Sequence, residues 1–458
     1  MKEKMNVEAP CSAKTTAIFA LSEVATNPIA TILMAFLVYF YTDVIGLNAA
    51  IVGLVILVSK VMDGISDLIG GNIVDHTHAK SGKARPWYLR LAIPMALAYI
   101  MLFTVPNWST GGKIAYVFIS YNLSSTVIYT MFNAAMAAFP IFLTKNRESR
   151  AAMSTLRLFV ACAVQIILTM FGLQFVEMLG GGQAGWIKFA AILGAVAALM
   201  MVFIYFNTKE ISSENDENAE DVPFWTAIRA LLHNKYWFIV LIAFFIGVVI
   251  QVCTLTDGVY YAKYVLNDIN MQANLTMYFL VPNLIPLALL PYCYKYISKK
   301  NLCVIGAVFL LVGTAIGIAF PAGAGFVVGL ALRGIGYGIN AGCQPAMVID
   351  AVVYGEWKTG YNIPGITTTA TCAAQKLGSG IGTALLGLVL GWFGYNGLAE
   401  TQPPMAISAI NVTYMIVPAI LSIVWIILFK FYKLDEEYPK YVKELEERHA
   451  QKAKERVQ

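Results

Sequence analysis

The stretch NAAIVGLVILVSKVMDGISDLIGGNIVD, residues 48–75, decides the fold class. Crossing about 30 Å of hydrocarbon takes about 20 helical residues, and this apolar run is long enough. It nevertheless carries Lys60, Asp63, Ser66 and Asp67 in its interior. A charge at mid-bilayer costs ~2.5–3.5 kcal/mol on insertion scales, so such residues need a task or a partner. Steps of three and four put Lys60, Asp63 and Asp67 on one helical face.

Outward from this stretch the same pattern recurs. Runs at 16–41, 48–75, 87–106, 113–143, 151–178, 186–206, 236–264, 272–297, 302–320, 323–349, 364–393 and 405–431 predict twelve transmembrane helices. The 458 residues are 58% hydrophobic and 13% charged, whereas a soluble domain carries about 25% charged residues. Backbone groups in lipid must be satisfied internally, so each span reads as a helix, and the short alternating segments of a barrel are missing. The expectation is an all-α membrane protein embedded in a lipid bilayer. The start is polar through Thr16 and the first apolar run exceeds a signal h-region, so no cleavable signal peptide is expected. The seven cysteines have neither CxxC nor metal-ligand spacing and read as packing residues.

The placement of charge matters more than the net +5. Numbered from a cytoplasmic N-terminus, the outward loops hold only Lys113, Lys188 and Lys263, at their edges. The inward loops hold Lys80, Lys83, Arg85, Lys145, Arg147, Arg150, Lys209, Arg229, Lys235, Lys295, Lys299, Lys300 and Lys358. This bias predicts a multi-pass protein of the plasma (inner) membrane with both termini cytoplasmic. It also explains the basic loops without nucleic acid, so no nucleic-acid partner is expected.

The strongest composition break is 207–235, with Glu210, Glu214, Asp216, Glu217, Glu220 and Asp221. It reads as a solvated cytoplasmic linker between a six-helix half at 1–206 and another at 236–432. The tail, 433–458, alternates in charge and reads as a helical cytoplasmic end with no binding role. The loop DHTHAKSGKARP after span two is echoed by YKYISKKN after span eight. Related halves around a midplane site suit a secondary transporter. A phosphate-cradling Gly-rich loop is missing, so ATP-driven transport has no support in the chain. His76, His78, His233 and His449 all lie in loops or the tail, which excludes a buried His-metal enzyme site.

Two carboxylates four residues apart can hold one small cation, with hydroxyls from neighbouring helices completing its oxygen shell. They can instead share a proton, which suits proton coupling. The structural alternative is a Lys60–Asp63 ion pair that only holds helices together. In span four, Thr130, Asn133 and Ala137 share a face beside Tyr129. Thr130 is a plausible cation ligand and Asn133 a plausible partner for a sugar hydroxyl. Ordinary interhelical hydrogen bonds are the alternative. Arg157 and Lys376 are read as facing a central cavity, with snorkelling to the interface the alternative for Arg157. Glu23 and Asn27 are again four apart. Glu177, Asp257, Arg333 and Asp350 read as interface or structural residues.

These stretches resemble the glycoside–pentoside–hexuronide:cation symporters, the melibiose-permease-like branch of the major facilitator superfamily. YFYTDVIGL at 39–47, DGISD at 63–67, SGKARPW at 81–87, RESR at 147–150, YGEWKTG at 354–360 and Lys376 run in family order over most of the chain. The resemblance implies the major facilitator fold in two six-helix halves. It implies coupling-cation roles for Asp63, Ser66, Asp67 and Thr130, with Na⁺ or H⁺ as coupling ion and no other cofactor. It implies substrate roles for Glu23, Asn27, Tyr129, Asn133, Arg157 and Lys376. The family's helix-two asparagine is Ser66 here, and two sugar-gripping acids become Asn27 and Asn133. Two cavity tryptophans are replaced, at Ala137 and near Ala341. The expectation is a monomeric cation symporter for a sugar or glycoside, working by alternating access with the inward loops as gate. Loss of two acids near Arg157 and Lys376 argues for an anionic sugar such as a glucuronide. A neutral pentoside or glycoside, and a lysolipid, are the alternatives.

Overall fold

The computed structural model describes residues 11–455 except 76, 78, 80, 145, 211–223, 362 and 400. The linker acids from Glu214 to Asp221 therefore lie outside the described residues, as do His76, His78 and Lys80 and the side chains of Arg147, Glu148 and His449.

Among the described residues, eleven helices are long and apolar enough to cross a membrane, including Ala49–Asp67, Thr110–Leu143, Lys235–Val265 and Gly323–Thr359. A twelfth apolar helix, Ala92–Phe103, is shorter. The span expected at 87–106 is thus divided into Arg85–Arg90 and Ala92–Phe103. Pro94 explains the break. It has no N–H to give the carbonyl of Arg90, so the helix loosens at Leu91. The helix Ala49–Asp75 has two contrasting faces. Leu54, Val58, Val61, Ile65 and Ile69 are exposed at steps of three and four, a stripe suited to lipid, while Ser59 and Asp63 are buried.

The chain forms two compact units that do not follow chain order. The first gathers the residues up to 217 with 255–276 and 383–410, and the second holds 218–254, 277–382 and 411–458. In the first unit the basic loop SGKARP is held by one linker acid. The Glu210 carboxylate accepts the backbone N–H groups of Lys83, Ala84 and Arg85 at 2.7, 2.8 and 2.5 Å. Those donors are the orphan groups at the start of helix Arg85–Arg90. Gly82 has φ +116°, and a Cβ there would collide with the Glu210 carboxylate. Arg85 closes the arrangement, with Nε donating to the Tyr205 carbonyl at 2.9 Å and the guanidinium stacked over that ring.

In the second unit, helices Lys299–Ala319 and Gly323–Thr359 pack backbone to backbone. A Cβ on Gly313 would lie 2.5 Å from the Gly329 carbonyl oxygen, and one on Gly329 2.7 Å from that of Gly313. Small residues of this kind are what close packing in lipid requires.

The tail is not a free end. Helix Leu434–Glu455 buries Leu434, Tyr441 and Leu445 against the second unit. Tyr441 packs on Trp357 with ring centroids 4.4 Å apart, and Trp357 Nε1 donates to Glu444 at 2.6 Å. Tyr236 and Tyr441 both donate to Glu437 Oε2 at 2.7 Å. The expected solvated end is therefore docked on YGEWKTG. Alternating charge hid an apolar edge spaced at 434, 441 and 445. The hydroxyls of Tyr441 and Tyr236 hold the Glu437 carboxyl below its ordinary 4.5.

Two predictions follow from these contacts. Glu210→Ala and Gly82→Ala each lower unfolding stability by about 2 kcal/mol, the scale of hydrogen bonds to a charged group, as read by thermal unfolding in detergent. Glu437→Gln, or Trp357→Ala, makes protease cut the tail several-fold faster at neutral pH. Because the folded Glu437 is the more acidic state, its contribution to docking is present above pH 4.5 and fades as pH falls through the lowered value.

Candidate functional site

Asp63 is the centre of the site. It is 1% exposed, and its carboxylate is gripped by three donors in the first unit. Lys60 Nζ lies 3.0 Å from Oδ2 and Ser125 Oγ donates to the same oxygen at 3.0 Å. Thr126 Oγ1 donates to Oδ1. Lys60 also sits over the Tyr121 ring, 5.6 Å from its centroid. The network continues outward: Asn122 Nδ2 donates to Ser59 Oγ at 2.8 Å, and Asn122 Oδ1 lies 3.1 Å from Thr126 Oγ1. Thr126 has one hydroxyl proton, which serves Asp63 or Asn122 at a given moment.

The backbone of span four explains this geometry. Residues Asn122–Tyr129 form a π-helix between two α-helical stretches. The wider turn brings Ser125 and Thr126, consecutive in sequence, onto one carboxylate. Such insertions are frequent at functional sites. Ser66 ties the two spans together by donating to the Thr126 carbonyl, and Thr130 Oγ1 donates to the Ser125 carbonyl at 3.2 Å. In this structure the Ser66 and Thr130 hydroxyls therefore support the π-turn, while Ser125 and Thr126 touch Asp63. Asp67 is half-buried one turn further along Ala49–Asp75.

A second polar group forms in the same unit. Arg157 Nε lies 3.4 Å from Glu23 Oε1, and Thr26 Oγ1 lies 3.3 Å from Glu23 Oε2. Asn27 accepts from Thr31 at 2.9 Å. Tyr129 is half-buried within electrostatic reach of Glu23, Lys60, Asp63 and Asp67, and so lies between the two groups. Asn133 is half-buried on the following turn. Lys376 belongs to the second unit, half-buried in helix Pro364–Trp392. Of the residues read as structural, Asp350 is paired with Lys299, one of the inward-loop bases. Arg333 is fully buried, donating to Thr254 and to the Tyr414 carbonyl.

A third cluster joins Lys263 and the Asp43 of YFYTDVIGL to two tyrosines that the sequence did not single out. Asp43 accepts from Lys263 Nζ at 2.6 Å, Tyr264 OH at 2.8 Å and Tyr395 OH at 2.7 Å, all within the first unit. Two further π-helical segments, Phe40–Val44 and Tyr261–Val265, carry Asp43 and the Lys263–Tyr264 pair. Local spacing cannot join partners more than 200 residues apart.

The first cluster combines a buried carboxylate with an ammonium and two hydroxyl donors. One helix face carries Lys60, Asp63 and Asp67, a formal charge of −1. Hydroxyl oxygens stand beside the carboxylate. Among the described residues no group of three or more His, Cys, Asp and Glu side chains gathers, so the oxygen donors at hand are two carboxylates and hydroxyls.

Comparison with known proteins fits this geometry. The model of the MFS/sugar transport protein family matches residues 18–436. The chain is 33% identical over 443 residues to the isoprimeverose transporter of Lactiplantibacillus pentosus, covering 94% of this chain and 91% of that one. It is 27% identical over 446 residues to the glucuronide carrier protein homolog of Escherichia coli strain K12, covering 94% of each. The crystal structure of the nucleoside transporter NupG shares the fold, with TM-score 0.63 and 15% identity over 92% of this chain and all of that one. The protein is a multi-pass membrane transporter rather than an enzyme. With a family match over most of its length and the motif order already described, the chain belongs to the MFS/sugar transport proteins, in their glycoside–pentoside–hexuronide:cation symporter branch.

Proposed function

We propose that this protein carries a neutral, xylose-type glycoside together with one Na⁺ or H⁺, and that the ion acts at Asp63. The carrying observation is the Asp63 shell: a buried carboxylate with Lys60, Ser125 and Thr126 on a helix face of formal charge −1. One added cation makes that face neutral, which lipid favours strongly. Lys60 holds Asp63 between ion-binding events and yields when the ion arrives. Asp67, Ser66 and Thr130 complete or support the ion's surroundings. Because coupling free energies are reciprocal, solute raises ion affinity by the factor by which ion raises solute affinity.

The solute follows from charge. The anionic reading rested on the loss of two acids near Arg157 and Lys376, but a third acid, Glu23, stands 3.4 Å from Arg157. A paired arginine offers a hydroxyl-rich ring hydrogen bonds without a surplus of positive charge. The 33% identity to an isoprimeverose transporter points the same way. Glu23, Asn27, Tyr129, Asn133, Arg157 and Lys376 are assigned to the solute. Two six-helix halves, 1–206 and 236–432, would alternate access, with both termini cytoplasmic in the inner membrane of a monomeric carrier. The Asp43 cluster would lie at the outward end and would have to break for entry from outside.

Uptake of labelled isoprimeverose, methyl xyloside and phenyl glucuronide into vesicles, with and without imposed Na⁺ and proton gradients, tests the solute. The neutral sugars are expected to accumulate only with a gradient. Accumulation of the glucuronide alone, or competition by lysolipid but not by sugar, overturns the neutral-sugar reading. For the ion, Thr126→Val weakens the apparent affinity for the coupling cation about tenfold, the scale of a hydrogen bond to a charged group. Thr130→Val changes it less. The reverse order, read from the cation dependence of uptake, contradicts the assignment.

A further inference from the structure

In the second unit, the short helix Phe224–Leu232 ends just before the membrane-crossing helix that starts at Lys235. Steps of four and three put Trp225, Arg229 and Leu232 on one face. That face is open: Trp225 is 74% and Leu232 55% exposed, while Ala227, Ala230 and Leu231 are buried on the opposite side. An indole and a leucine held outward around an arginine are unfavourable in water. They suit a lipid headgroup boundary, where tryptophan is enriched and arginine extends its head to water.

Three bases gather beside this face. Lys358 Nζ donates to the His233 carbonyl at 2.8 Å, and His233 Nδ1 lies 2.7 Å from the Arg229 carbonyl. Lys235 and Lys358 both hold their ammoniums over the Tyr354 ring, 5.8 and 5.9 Å from its centroid. Arg229, Lys235 and Lys358 are exposed, and among the described residues none of the three forms an ion pair. Glu437 reaches Lys235 only at longer range. Other bases of the unit are matched: Lys299 by Asp350, Lys300 by Glu436 and Lys440 by Glu444. A bias of bases toward one side of the membrane requires only that they lie on that side. It does not require them to stand unpaired around an exposed tryptophan.

We propose that this surface binds the headgroup of an anionic phospholipid. Helix Phe224–Leu232 lies along the membrane surface, Trp225 and Leu232 enter the acyl boundary, and Arg229, Lys235 and Lys358 hold the phosphate. A guanidinium offers a fork of donors to phosphate oxygens, and two ammoniums add charge. A zwitterionic lipid brings its own ammonium and gains less from three cations. Lys358 belongs to YGEWKTG, so the lipid touches the motif on which the tail is docked. The topology proposed above puts this lipid in the inner leaflet, whereas its chemistry does not depend on that topology.

The test counts lipids bound to the purified full-length protein by native mass spectrometry. The protein is titrated in neutral detergent with phosphatidylglycerol or with phosphatidylcholine of the same chains. Wild-type protein is expected to prefer phosphatidylglycerol about tenfold, and added salt to erase the preference. Arg229→Gln, Lys235→Gln and Lys358→Gln are each expected to weaken phosphatidylglycerol about fivefold, the scale of one base near an anionic surface, and to leave phosphatidylcholine unchanged. Lys440→Gln removes an exposed base that Glu444 already matches, and changes neither. Trp225→Ala weakens both lipids by a similar factor. Equal affinity of wild-type protein for the two lipids overturns the proposal, as does phosphatidylglycerol binding of wild-type strength in a protein lacking all three bases. If that triple variant does not fold, the single variants decide, and wild-type affinity in all three overturns it. Displacement of phosphatidylglycerol by an equal concentration of soluble glycerol 3-phosphate also overturns it, because the site would then be one for free phosphate esters.

Discussion

A carboxylate on a membrane-spanning helix cannot stay ionised without company, and the region around Asp63 is organised by that constraint. The helix Ala49–Asp75 turns Val58, Val61, Ile65 and Ile69 outward and keeps Asp63 inside. Three donors meet the carboxylate: an ammonium from one turn earlier and two hydroxyls from span four. To bring both hydroxyls there, span four departs from α-helical geometry over Asn122–Tyr129. The departure from α-helical geometry is thus concentrated where the buried carboxylate needs its donors.

Much of the fold was legible in the sequence because lipid imposes a simple rule. Helices had to be apolar and of spanning length, and most expected boundaries fall within a few residues of the observed ones. Two exceptions stand out: 87–106 broke at a proline whose effect was local and readable in principle, and the span expected at 323–349 runs on to Thr359, through most of YGEWKTG. Asp63 and Lys60 were legible because three- and four-residue steps on an α-helix predict shared faces. Ser125 and Thr126 were not, since consecutive residues on an α-helix point about 100° apart, and nothing in the letters announces a π-turn. Thr130 was favoured by periodicity, yet its hydroxyl bonds the Ser125 carbonyl one π-turn back. The pairing of Arg157 with Glu23 was not legible, since the two lie 134 positions apart.

The linker and tail teach a related lesson. Glu210 looked like one more acid in a solvated stretch, but it caps three backbone donors of the SGKARP loop. The tail looked like a charged end, but Tyr441 and Glu444 seat it on Trp357. Both motifs suspected of gating, SGKARPW and YGEWKTG, are therefore braced by segments outside the spans.

The central claim is that the coupling ion acts through Asp63. It is tested most directly by recording sugar-evoked Na⁺ or proton movement in vesicles containing wild-type protein or Asp63→Asn. Loss of the sugar-evoked cation signal in Asp63→Asn, with sugar still equilibrating by counterflow, is the predicted result. A sugar-evoked cation movement of wild-type size in Asp63→Asn would contradict it.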